Sequence, residues 1–195
     1  MRLRDQHKEA LVKQKTMELL VREGLEGFSV NRIARECHIS VRTLYIYYKD
    51  SDDLIVRIAK EEAKKMEEML LDGFDASWSI EKGLEWMWKA RAHYMLDNET
   101  SVRFLDLLRH STYRKIIFGG TIQKFQKTME AFLQNAIRNK EIDALPLEVF
   151  WSLAFSPLHS LIQLHNESQS TDKKFKLTNK LLDQTFKKML KGLLH

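Results

Sequence analysis

Seven glycines and two prolines are all that this chain of 195 residues has with which to interrupt regular structure. Together they are under 5% of the sequence, where average usage would give about 12%. A β-sandwich or a doubly wound α/β fold needs many Gly- and Pro-rich connections, so this scarcity predicts an all-α fold of long helices joined by few breaks. Such helices need a core to close on, and 44% hydrophobic residues, including 10 Phe, 5 Tyr and 4 Trp, supply one. That content excludes disorder for most of the chain.

Helical spacing appears from about Asp5 to Glu23, where Val12, Thr16, Leu19 and Leu20 share a face and Gly24 ends the pattern as a C-terminal cap would. Two shorter patterns follow. Ser29 is placed as an N-cap before Val30, Ile33, Ala34 and Cys37, and Ser40 stands in the same way before Val41, Leu44, Tyr45 and Tyr48. Each apolar set falls at i, i+3, i+4, i+7. A fourth helix starts within Lys49 to Asp53 and runs to about Asp72; its Lys60, Lys64 and Lys65 are spaced to pair with Glu61, Glu62, Glu67 and Glu68. Beyond the break at Gly73 to Ser79, helices are predicted at about 80 to 97, 100 to 111, 113 to 139, 146 to 166 and 173 to 194. Gly119-Gly120 is a possible interruption of the third of these. Pro157 should kink or end its helix, and Asn166 to Lys174 reads as the most flexible loop.

Two short helices flanking a turn of about three residues form a helix-turn-helix, whose second member enters a major groove of DNA. With the apolar set holding the third helix inward, Ser40, Arg42, Thr43, Ile46 and Tyr47 fall on or near its open side. Arg42 suits a guanine edge or a phosphate, Thr43 and Tyr47 suit phosphate oxygens, and Ile46 suits a thymine methyl. Ser29, Asn31 and Arg32 sit where the preceding helix would meet the backbone. Val41, Tyr45 and Lys49 complete the candidate DNA-binding set. Charge is placed accordingly: residues 1 to 49 carry a net +4, the other 146 a net +1. A solvated basic face would carry the same charge.

The run from Phe28 to Leu54 resembles the DNA-binding domain of the tetracycline-repressor (TetR) family of bacterial transcription regulators. Gly24, the Ile33-Ala34 pair, Ser40, the Thr43-Leu44-Tyr45 triplet, the aromatic at Tyr48 and Leu54 carry the likeness, which spans roughly residues 8 to 60. Two departures stand out. His38 takes the place of the usual turn glycine, and Ser51-Asp52-Asp53 stands where the family often has a phosphate-binding lysine. His38 should be a strained or re-routed turn residue, and the aspartates should serve as helix-start residues held off the DNA.

What the resemblance implies is a regulator, expected to be a repressor, with a DNA-binding domain at 1–49 and a helical effector-binding and dimerisation domain at 50–195, helix 50–72 linking them. Its partners would be a palindromic double-stranded operator, a small apolar or aromatic effector and a second copy of the chain, the homodimer closing a four-helix bundle between subunits. Apolar stripes on the last two helices are compatible with this, although intrachain packing would also account for them. Trp86, His93, Tyr94, Phe104, Phe125, Trp151, Phe155 and His159 are the candidate ligand-binding residues, each with core packing as the alternative. A helical ligand-binding or protein-interaction module without DNA specificity is the rival reading.

An enzyme is not expected. The sequence has no phosphate-cradling glycine loop, no paired-histidine zinc motif and no nucleophile elbow, so no cofactor or metal is expected either. The lone Cys37 cannot form an intrachain disulfide, and no apolar stretch of signal-peptide length follows the charged MRLRDQHKEA start. No run approaches the ~20 apolar residues of a membrane span. The expectation is a cytoplasmic protein.

Overall fold

The computed structural model describes residues 2–168 and 175–194, with side chains from His7 onward, and is helical throughout. Its elements are α1 (Arg2–Glu23), α2 (Val30–Glu36), α3 (Val41–Tyr47), α4 (Ser51–Leu71), α5 (Ile80–Asp97), α6 (Glu99–Arg109), α7 (Arg114–Thr121), α8 (Gln123–Arg138), α9 (Leu147–Ser168) and α10 (Asn179–Leu193). They form two compact units that do not follow a single cut in the sequence. One comprises Met1–Met66 and Asn98–Ile122, the other Glu67–Asp97 and Gln123–His195. The helix-turn-helix thus shares a unit with α6 and α7, and α4 contributes residues to both.

In the first unit, Leu19 and Leu20 of α1, Ile33 of α2, Leu44 of α3, Leu54 and Ile58 of α4, and Phe104 and Leu108 of α6 close one core. Each fully buried aliphatic side chain there contributes about 1.5–3 kcal/mol. Along α4, Glu61 and Glu62 make contacts to other elements. Glu62 is 3% exposed, bonds Lys13 of α1 at 2.8 Å and accepts from the Ser101 hydroxyl of α6, while Glu61 also reaches Lys13 at 3.1 Å. Burial works to raise the Glu62 pKa, but donation from Lys13 and Ser101 outweighs it and holds the carboxyl below its usual range.

In the second unit, α5 packs against α8, α9 and α10. Gly83 permits the closest approach: a Cβ there would stand 2.3 Å from the Phe132 ring of α8. Trp88 donates its indole N–H to the Ala154 carbonyl of α9 at 2.8 Å. Pro157 does not end that helix, which continues to Ser168. Its missing N–H leaves the Leu153 carbonyl without a helical donor. Glu141 accepts the Ile80 amide at 2.5 Å, satisfying a free N–H at the start of α5. The expected helix at 113–139 is broken at Ile122, just past Gly119-Gly120. The last helix starts at Asn179 rather than 173, where Thr178 caps it by accepting the Leu181 amide. Of the loop expected at Asn166 to Lys174, Asn166–Ser168 belong to α9 and residues 169–174 lie outside the described residues.

Candidate nucleic-acid interface

Both caps of the helix-turn-helix form as their sequence requires. The Ser29 hydroxyl accepts the Arg32 amide at 3.3 Å, and the Ser40 hydroxyl accepts the Thr43 amide at 3.1 Å and meets the Thr43 hydroxyl at 2.8 Å. His38 has φ +53°, the left-handed conformation that glycine would adopt without strain. Around it the turn is complete: the His38 amide donates to Arg35 at 3.1 Å and the Ile39 amide to Ala34 at 3.0 Å, the paired bonds of a Schellman motif. The turn is therefore retained, with histidine carrying the strain.

Helix α3 is seated by Leu44, 1% exposed, and Tyr48, 6% exposed, with Val41 and Tyr47 packed against the same core. Tyr45, which the i+4 spacing places on the packing face, is instead 54% exposed. On a helix this short the buried stripe runs through Val41, Leu44, Tyr47 and Tyr48, and Tyr45 lies at its far edge. Tyr47 is correspondingly half-buried, and not on the open side. The face left to solvent carries Ser40, Arg42, Tyr45, Ile46 and Lys49, with Ile46 at 72% exposure. An isoleucine so exposed beside an arginine is a pairing that groove contact could use.

Ser29 and Asn31 are exposed at the start of α2. Arg32 is committed elsewhere, since its guanidinium forks onto the Glu23 carboxylate of α1 and lies 3.7 Å from Glu36. Donation from Arg32 and Arg22 holds the Glu23 carboxyl below its ordinary range. The start of α4 is capped reciprocally: Asp50 accepts the Asp53 amide at 2.8 Å and Asp53 accepts the Lys49 amide at 2.9 Å. Asp52 accepts the Tyr113 hydroxyl from α7's N-cap at 2.6 Å, a contact with no signal in the local sequence. Arg57 fastens α3 to α4, donating to the Tyr47 carbonyl at 2.6 Å and lying 5.0 Å from the Tyr48 ring centre.

The candidate ligand residues do not form one set. Phe104 is buried in the core of the first unit. Trp86, His93 and His159 are exposed, His93 standing 3.1 Å from Asp97 and Trp86 stacking edge-on with Trp78 at 5.5 Å. Tyr94 is 1% exposed. Phe125, Trp151 and Phe155 do come together, around a residue the sequence reading missed. The Arg91 guanidinium lies 5.5, 5.3 and 4.5 Å from their ring centres. A cation held among aromatic faces beside apolar walls suits a ligand with an apolar body and a negative end. From this nest a link runs to α4, because the Phe125 amide donates to the buried Glu67 at 2.7 Å.

Comparison with known proteins locates the same segment. Residues 14–58 match the model of bacterial regulatory proteins of the tetR family. An HTH-type transcriptional regulator of Haemophilus influenzae is 28% identical over 85 residues, 44% of this chain and 46% of that protein, so the match spans about half of the curated relative. Among solved structures, a TetR family transcription regulator from Marinobacter aquaeolei superposes with a TM-score of 0.85 at 21% identity, covering 100% of this chain and 99% of its own. A TetR-family regulator from Haemophilus influenzae gives 0.72 at 19%, covering 96% and 99%. The fatty acid degradation regulator of Bacillus halodurans gives 0.70 at 12%, covering 94% and 98%. These are regulators, not enzymes. Residues 14–58 are thus a DNA-binding segment of the tetR-family type, and the chain as a whole has the fold of the TetR-family regulators.

Proposed function

We propose that the chain is a ligand-released repressor that binds a palindromic operator as a homodimer. In this reading residues 1–49 engage DNA, 50–195 hold effector and partner, and the helix over 50–72 joins the two functions. Each subunit lays α3 in a major groove, with half-sites about 34–36 Å apart. The observation that carries the reading is the solvent face of α3, where Ser40, Arg42, Tyr45, Ile46 and Lys49 stand clear of the core. Thr43 and Val41 sit at its margins, Ser29 and Asn31 at the start of α2, and Tyr47 beneath it. Arg32 serves the α1–α2 joint.

For the homodimer, the support is α9 and α10: Val149, Leu153 and Leu164 are 42%, 48% and 52% exposed on one stripe of α9, and Leu181 of α10 is 36% exposed. A second copy would cover them. The effector would be an apolar or aromatic molecule with a negative group, seated at Arg91, Phe125, Trp151 and Phe155. Moving Phe125 would act on α4 through Glu67. The ligand releases DNA only by binding the non-operator geometry more tightly, since equal affinity for both shifts nothing.

Selection from randomised duplexes with the purified protein tests this: a roughly palindromic site should be enriched. Enrichment of no site would favour a protein-interaction module and overturn the proposal. On the selected site, Arg42→Ala should cost about 1–3 kcal/mol and relax preference at one position if it reads a base. A folded Arg42→Ala, Tyr45→Ala double variant with undiminished affinity would remove α3 from the groove.

A further inference from the structure

The unit that carries the helix-turn-helix holds 18 Lys and Arg against 13 Asp and Glu, and the other unit holds 14 of each, so the whole net charge of +5 resides in the first. Part of that excess lies far in sequence from α2 and α3. The corner between α6 and α7, residues 109–115, carries Arg109, Arg114 and Lys115 with no acidic residue, and all three are exposed. Arg109 packs over the Phe118 ring at 5.0 Å. Among the described residues, neither Arg114 nor Lys115 has an acidic partner.

This corner is fixed in position. The Tyr113 hydroxyl reaches Asp52 in the first turn of α4 at 2.6 Å, the Tyr113 amide bonds the Ser111 hydroxyl at 3.1 Å, and that hydroxyl donates to the Leu108 carbonyl at 2.7 Å. Burial and the bond to Asp52 push the Tyr113 pKa to about 12, so the donor stays protonated. Because α4 starts four residues after α3 ends, its first turn lies close along the chain to the helix proposed to read the duplex. That turn bears Asp52 and Asp53, the wrong sign for a phosphate. Both carboxylates are occupied, one by Tyr113 and the other by the Lys49 amide, and the residues directly after Tyr113 are Arg114 and Lys115.

We propose that the α6–α7 corner is a second DNA-contacting element, in which Arg114 and Lys115 hold backbone phosphates of the duplex that α3 reads, placed by the Tyr113–Asp52 bond. The inference rests on the DNA-binding reading above, and its contribution is independent of sequence because phosphates carry no base information.

The test is duplex affinity over a salt series, measured by fluorescence anisotropy on the selected operator and on an unrelated duplex. An Arg114→Ala, Lys115→Ala double variant should weaken both by about tenfold at moderate salt and lower the slope of log K against log salt by about two, near 0.9 per phosphate contact. The matched control is Lys187→Ala, Lys188→Ala on α10, which makes the same charge change in the neutral unit and should leave the slope unaltered. An Arg114→Lys, Lys115→Arg variant should bind as the parent does, which separates charge from misfolding. Tyr113→Phe, with every charge kept, should reproduce part of the loss. The proposal is overturned if the double variant keeps the parent's slope, if the α10 control loses as much, or if the loss falls on anionic vesicles and not on DNA. A parent protein that binds no duplex would instead strike down the DNA-binding reading itself.

Discussion

His38 and Thr16 are single positions at which the chain accepts a local cost. His38 holds φ +53° in a turn whose hydrogen bonds are otherwise complete. A non-glycine residue there costs about 1–2 kcal/mol, part of which glycine returns as lost backbone entropy. His38→Gly should therefore raise stability by about 0.5–1 kcal/mol with the turn unchanged, and denaturant titration checks it; a drop would mean the imidazole makes a contact of its own. Thr16 is 0% exposed, and among the described residues its hydroxyl has no hydrogen-bond partner. Thr16→Val keeps the shape and removes the buried polar atom, for an expected gain of about 1 kcal/mol, read as a rise in melting temperature.

Helices declare themselves by period, and contacts between helices do not. The spans of α2 and α3 were legible because cap, stripe and turn recur at fixed spacing within a few residues. Tyr45 departs from its expected face because two turns of helix leave the edge of a stripe undetermined, and α10 begins later than its apolar pattern because Phe175 and Leu177 extend that pattern ahead of the Thr178 cap. Nothing local announces that Tyr113 meets Asp52, that Arg91 enters the ring cluster, or that α6 and α7 join the helix-turn-helix unit. The joint of α1, α4 and α6 at Glu62 belongs to this class and makes stability depend on pH. The Glu62 pKa is lowered on folding, so its contribution is present above the unfolded value, ordinarily about 4.3, and is lost as pH falls through the folded one. Glu62→Gln should flatten the acid limb of a stability profile. Lys13→Met, which strands the carboxylate, should cost about 1–3 kcal/mol at neutral pH. Equal acid sensitivity in parent and Glu62→Gln would assign that limb to other carboxylates, such as Glu18 and Glu23, which are also lowered.

For the molecule as a whole, assembly is the first thing to measure. A Leu153→Glu, Leu164→Glu variant should sediment as a monomer while keeping its helical content, and its operator affinity should fall steeply because two half-sites no longer bind as one. An unchanged sedimentation coefficient would move the interface off this stripe. The division of charge between the two units reaches further than any contact. In the field of a polyanion, a body with +5 in one unit and zero in the other experiences a torque as well as an attraction. On the proposed DNA-binding reading, the charged unit would be turned toward the double helix before touching it, so fewer collisions would be wasted. Ionic strength should accordingly slow arrival as well as hasten departure.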